Sequence, residues 1–186
     1  MKISYKKFVI LLFLVIAFSC GEKEDKQETG NISGEFQWTE NISIDQIPEK
    51  PLTAMMNGKK LKISYINFEQ WRGSGDNVIN FSSNTPKQNC GYVENDDAFH
   101  IMHIAGEFEE GDFIKSNFDT NIDGIVADYH YYDKNNNIKK VSVPWNCAMV
   151  ITELGDKIVK GKIALCFKDK AKSWIAGTFE AIRCNN

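Results

Sequence analysis

Asp119-Thr120-Asn121-Ile122-Asp123-Gly124 sets three oxygen-bearing side chains at alternate positions ahead of a glycine. That is the spacing of the first half of a calcium loop, in which alternate oxygens face one ion and glycine permits a sharp turn. Val126 suits the apolar position that follows, but the twelfth position is His130 rather than a bidentate glutamate, which excludes a full EF-hand. The metal reading is therefore a shorter calcium loop between strands, with Asp128 or the Ile125 carbonyl completing the shell. The simpler reading is a polar hairpin loop.

The three histidines offer less. His100 and His103 stand three apart, a spacing that on a helix holds a metal with Glu107 nearby, yet Phe99, Ile101, Met102 and Ile104 read as a strand. A strand points the two rings to opposite faces. His130 lies among Tyr129, Tyr131 and Tyr132, with no evident carboxylate to orient it as a base. There is no Gly-x-Ser-x-Gly elbow, no phosphate-cradling glycine loop and no His-Glu-x-x-His. The acid pairs Glu109-Glu110 and Asp96-Asp97 would diverge on a strand, and Gly111 and Asn95 mark them as loop residues. A metal-dependent hydrolase would have to draw on Asp119, Asn121, Asp123 and His130. Two aromatics are contact candidates for a protein or glycan ligand: Trp71, beside Arg72-Gly73-Ser74-Gly75, and Tyr132, at the end of an aromatic run. Packing in a second core layer competes with that reading.

Beyond Cys20 there are four cysteines, Cys90, Cys147, Cys166 and Cys184, an even number that suggests two disulfides in an exported chain. A hairpin centred between Asp156 and Lys157 sets Cys147 opposite Cys166 and leaves Cys90 for Cys184. Zinc is the alternative, without Cys-x-x-Cys spacing to support it.

The elements that must carry these residues read as strands. From Glu35 onward, short runs rich in Ile, Val, Phe and Tyr recur between turn signals, at Gly34–Ile44, Lys60–Phe68, Asn77–Ser82, Ala98–Ile104, Asp112–Asn117, Ile125–Tyr132, Ile138–Val143, Trp145–Glu153, Lys157–Phe167 and Ser173–Arg183. Asn57-Gly58, Gly155-Asp156 and Asp133 to Asn137 supply tight turns. The expected fold is all-β, an antiparallel β-sandwich or flattened barrel of about 9–10 short strands. Val159, Gly161, Ile163, Leu165 and Phe167 share the face expected to be core, joined by Ala148 and Val150 from the preceding strand. No amphipathic helix is evident.

The N-terminus has an address. Lys2, Lys6 and Lys7 precede an apolar run from Phe8 to Phe18, a basic region followed by a segment of signal-peptide length, too short to span a bilayer as a helix. Ala17-Phe18-Ser19-Cys20 resembles the lipobox of bacterial lipoproteins, which implies a signal peptide at 1–19 and acylation of Cys20. Residues 20–34 then read as the lipidated cysteine and a flexible tether, and 35–186 as the β-domain. Glu22-Lys23-Glu24-Asp25 resembles the acidic export signal of Bacteroidota lipoproteins. Ile175 to Cys184, with its Gly-x-Phe-x-Ala, and Asn57-Gly58-Lys59-Lys60-Leu61 resemble the closing strand and opening hairpin of Bacteroidota lipoproteins of unknown function. The likeness implies a β-sandwich and carries over no site residues.

Charge fits that address. The chain holds 22 basic and 25 acidic residues, with a pI near 5.7, and removal of 1–19 takes three lysines and no acids, leaving a net charge of −6. Nucleic-acid binding by clustered Lys and Arg is excluded as a class. The expectation is a lipoprotein held in the bilayer by acylated Cys20, at the outer membrane on the cell surface or in the periplasmic leaflet. Its non-catalytic domain would bind a protein or glycan ligand. An inhibitor of, or immunity protein against, a foreign enzyme fits the same charge and place.

Overall fold

Period-two alternation governs the chain, and the computed structural model is accordingly built of strands. Residues 35–85, 90 and 96–185 are described. The chain divides into the units Met1–Ile32 and Ser33–Asn186; the expected signal peptide, Cys20 and the tether to residue 34 lie outside the described residues.

Among the described residues eleven strands follow one another: β1 Thr53–Met56, β2 Lys59–Leu61, β3 Tyr65–Trp71, β4 Asp76–Ser82, β5 Ala98–His103, β6 Gly111–Lys115, β7 Ile125–Tyr132, β8 Ile138–Val141, β9 Trp145–Leu154, β10 Ile158–Phe167 and β11 Trp174–Asn185. They make one sheet in the order β6-β9-β10-β11-β3-β4-β5-β7-β8, with the β1–β2 hairpin attached to β11. The fold is all-β, as expected. Pairing is not wholly antiparallel, however, because β11 runs parallel to β3 from Ile182 beside Asn67 to Asn185 beside Gln70. The long β11 pairs with β10 along one edge and with β1 and then β3 along the other, and the many residues between β3 and β11 make a parallel return possible.

Aromatic side chains show how the sheet bends. Phe81 on β4 meets Phe179 on β11 edge-on at 5.6 Å, Phe99 on β5 stacks on Phe167 of β10 at 5.9 Å, and Tyr129 on β7 meets Phe167 at 5.1 Å. β5 and β10 stand four places apart in the sheet, so these contacts require it to curl into a half-barrel with the core in its concavity. Phe68, Ile79, Phe99, Ile101, Ile163, Leu165 and Ile175 fill that core, each contributing about 2–3 kcal/mol of burial.

A second, smaller cluster lies on the back of β9, β10 and β11. There Phe36, Ile42 and Ile47 cover Ala148, Ala164 and Ala176. The expected strand Gly34–Ile44 is instead an irregular segment within the described residues, ending in a short 3-10 turn, Ile44–Gln46, with a capping box between Ser43 and Gln46. Its apolar residues Phe36, Trp38, Ile42 and Ile44 alternate as a strand's would, but the segment pairs only through an isolated bridge, Asn41 to Asn117, and the alanines beneath leave room for large side chains to lie flat.

The β9–β10 hairpin corrects the cysteine pairing. It starts in the expected register, Lys160 opposite Glu153, and slips by one between Lys160 and Gly161, passing over Thr152. Beyond this bulge Leu165 faces Cys147, and Cys166 faces Asn146. Cys147 therefore enters the concave core and Cys166 the back cluster, and both are buried free thiols. The slip also turns Ala148 and Val150 to the back, and Met149 and Ile151 to the core. The other expected bond is present: Cys90 and Cys184 are joined, S–S 2.02 Å and Cα–Cα 5.7 Å.

Candidate functional site

Because Phe68, Ile79, Phe81, Phe99, Ile101, Ala127 and Tyr129 fill the concave core, their neighbours along β3, β4, β5 and β7 must point to the convex side. Pairing registers them in rows. Asn67, Asn80, His100 and Asp128 stand side by side, and the next row holds Tyr65, Ser82, Ala98, His130 and Lys140. A convex face of such residues is ordinarily solvated, yet Asn67, Asn80 and Ser82 are 0% exposed, Glu69 and His130 1%, and His100 5%.

Hydrogen bonds tie the row together. Asn80 Nδ2 donates to Asn67 Oδ1 at 2.8 Å, Asn67 Nδ2 to Glu69 Oε1 at 2.6 Å, and Trp71 Nε1 to Glu69 Oε2 at 3.1 Å. Both oxygens of a buried carboxylate are thus matched, which is what makes its burial tolerable. Burial, aided by the Glu69 charge, pushes the Tyr65 hydroxyl above its ordinary pKa. Across the wall, the rings of His100 and His130 meet edge-on at 4.9 Å. Burial lowers His100 to about 4, with His130 and Lys140 acting the same way and Asp128 opposing. Burial lowers His130 as well, against the Asp96 backbone, Asp128 and Asp97, so both imidazoles are neutral at pH 7. Lys140 pairs with Asp128 at 2.9 Å. Among the described residues, Asn80 Oδ1 and Ser82 Oγ in these rows are fully buried and have no hydrogen-bond partner.

The aromatic candidates flank this wall. Trp71 continues the Glu69 side of β3, and Tyr132 lies at the opposite end of β7, where its backbone N–H donates to Asp97 Oδ1 at 2.9 Å. Three strand steps across and eight residue steps along separate them, about 30 Å, so they do not converge on one small ligand.

The candidate calcium residues behave differently. Asp119, Asn121 and Asp123 are exposed in the β6–β7 loop. Asn117 Oδ1 organises that loop by accepting from the Asp119 and Thr120 amides and the Thr120 hydroxyl at 3.0, 2.9 and 2.9 Å. A cation does sit at its base: the buried ammonium of Lys115 donates to the carbonyls of Asn117, Phe118 and Trp145 at 2.9, 3.3 and 2.6 Å. Among the described residues no group of three or more His, Cys, Asp or Glu is placed to hold a metal. Asp123 and His130 stand seven residues apart, mostly along extended β7, about 20 Å, so the hydrolase set of Asp119, Asn121, Asp123 and His130 is not brought together. His103 faces away from His100, as expected for a strand, with Nδ1 2.8 Å from the Glu107 carbonyl and its ring against Phe108.

The convex row is what reading the strands singly misses. Asn67 and Glu69, Asn80 and Ser82, and Asp128 and His130 each keep polar residues at period two beside apolar neighbours, and only pairing assembles them. No family model, curated protein or solved structure matches the chain.

Proposed function

We propose that this chain is a lipid-anchored extracytoplasmic lipoprotein whose β-domain binds a ligand without turning it over, at the convex wall of β3, β4, β5 and β7. The observation that carries the binding reading is the pair of buried, unmatched atoms, Asn80 Oδ1 and Ser82 Oγ, inside an otherwise connected polar array. A buried polar atom left unmatched costs about 1–3 kcal/mol, and natural folds keep few of them. Both side chains are 0% exposed, so a ligand hydroxyl or amide would match both only once local opening of the wall admits it.

The ligand class follows from the wall's charge. Glu69 is matched by Asn67 and Trp71, and Asp128 by Lys140, and the two unmatched atoms, an amide oxygen and a hydroxyl, carry no charge. A glycan, rich in hydroxyls that both donate and accept, suits that array. Export is supported by the lipobox at Ala17 to Cys20 and by the Cys90–Cys184 bond, a linkage that persists in oxidising compartments. The acidic stretch after Cys20 favours the outer membrane and the cell surface.

The test is a glycan array probed with the exported chain, followed by thermal melts with each glycan retained. A ligand of the folded state raises stability by RT ln(1 + [L]/Kd), about 2.7 kcal/mol at one hundred times Kd. Binding that Ser82→Ala and Asn80→Leu weaken, with the glycan recovered unchanged, is expected. Cleavage of the glycan, or retention indifferent to both substitutions, contradicts the reading.

A further inference from the structure

Away from the polar wall, the exported chain, with a net charge of −6, carries a basic patch. The β10–β11 turn reads Lys168-Asp169-Lys170-Ala171-Lys172, and all three lysines are exposed. Two are held against aromatic rings: the Lys168 ammonium lies 5.7 Å from the Phe118 ring centre, and that of Lys172 4.6 Å from the Trp38 ring. Trp38 and Phe118 stack on each other at 5.4 Å, and Trp38 Nε1 donates to the Phe167 carbonyl at 2.8 Å. The turn is fixed as well, by Lys168 N–H to the Pro144 carbonyl and Phe167 N–H to the Ser173 carbonyl at 2.8 and 3.0 Å.

The intervening acid forms no ion pair with these lysines and leaves the turn a formal +2. Asp169 accepts from the Tyr129 hydroxyl and from the Ser173 amide, and none of the five ion pairs among the described residues includes Lys168, Lys170 or Lys172. Glu40 and Asp119 are the exposed acids nearest in the chain to the two rings. Three ammoniums with no carboxylate partner, beside a half-buried indole, form the combination that membrane interfaces select: lysines for lipid phosphates, and tryptophan for the boundary between headgroup and acyl chain.

We propose that Trp38, Lys168, Lys170 and Lys172, backed by the buried ring of Phe118, form a docking surface for the phosphate headgroups of the membrane that carries the protein. The proposal rests on the lipoprotein reading for its occupant. Charge complementarity points to an anionic surface. The covalent chain supplies the proximity, because Trp38 lies only 18 residues beyond Cys20, at most about 60 Å of extended backbone. Acylation would then convert a weak electrostatic contact into an intramolecular one of high effective concentration. Docking would fix which side of the β-domain faces away from the bilayer.

The experiment uses the exported chain from residue 20 with Cys20→Ser, so that no acyl group contributes, and measures co-sedimentation with vesicles of phosphatidylcholine alone or mixed with phosphatidylglycerol. Binding is expected to the mixed vesicles only, and to vanish in molar salt, where the Debye length is about 3 Å. Lys170 touches no ring, so Lys170→Gln tests charge without disturbing packing; about a fivefold loss is expected, and on the order of one hundredfold for the triple Lys168, Lys170 and Lys172→Gln chain. Equal binding to both vesicle types, or mixed-vesicle binding unaffected by the triple substitution, overturns the proposal. So does competition by inorganic phosphate at constant ionic strength, which would assign the patch to a free anion. The mass of native Cys20 is read separately, so failure of the anchor and failure of the patch remain distinguishable.

Discussion

A carboxylate that is 1% exposed is tolerable only if both oxygens are matched, and Glu69 meets that condition through Asn67 and Trp71. Removing it takes away the acceptor that the Asn67 amide and the Trp71 indole share. Glu69→Ala should therefore lower stability by about 3 kcal/mol, read as a shift in the urea midpoint, whereas Glu69→Gln should cost less because it keeps one acceptor. His100 makes the wall sensitive to acid. With a folded-state pKa of about 4 against an ordinary 6.5, the unfolded chain takes up a proton between those values that the folded chain refuses. Stability should fall as pH drops from about 6.5 towards 4, by up to about 3 kcal/mol for this residue, and His130, also lowered by burial, adds in the same direction. His100→Gln should flatten that slope in denaturant melts at pH 7 and pH 5; an unchanged slope would show that the imidazole titrates normally in the folded protein. Neither behaviour is legible from the residues alone. His100 and Asp128 are 28 positions apart, and only the β5–β7 pairing makes them neighbours.

At the scale of the element, alternation and turn residues located nine runs that overlap ten of the eleven strands among the described residues, but the single expected run Lys60–Phe68 merges β2 with β3, which residues 62–64 separate. Neither β1, four residues, nor β2, three, is long enough for period two to register on its own. The expected first strand failed for the opposite reason, since its apolar residues anchor an irregular segment to the alanine surface at the back. The cysteines show how one bulge defeats a register argument. Counting from the turn is correct as far as Glu153 opposite Lys160, and the slip at Thr152 then puts Cys147 and Cys166 on opposite faces. Denaturation without reductant should therefore expose two thiols that are unreactive in the native protein; finding none would mean that Cys147 and Cys166 are bonded after all. Gly161 sits where a Cβ would lie 2.4 Å from the Val150 carbonyl and 2.9 Å from the Phe179 ring. Gly161→Ala should cost about 1–3 kcal/mol by forcing the bulge or the ring to move, measurable in the same melts. The Cys90–Cys184 bond closes a long loop, with a separation of 94 residues. Chain entropy puts its stabilisation at about 4–5 kcal/mol, and the double Cys→Ser chain should lose most of it.

At the scale of the whole molecule, the half-barrel assigns different tasks to its surfaces. The concavity holds the aromatic core, the back of β9 to β11 is covered by residues 36–47, and the convex side of β3, β4, β5 and β7 keeps a buried polar array. Fold class was readable because alternation is a local property. The polar wall was not, because it exists only across strands. The account of what the molecule does depends on its being exported and tied to a membrane at Cys20. Intact-mass analysis of the protein purified from its native envelope tests this most directly. The account predicts a chain that begins at Cys20 and carries acyl groups on that residue; a chain that retains residues 1–19, or begins elsewhere with an unmodified Cys20, would contradict it.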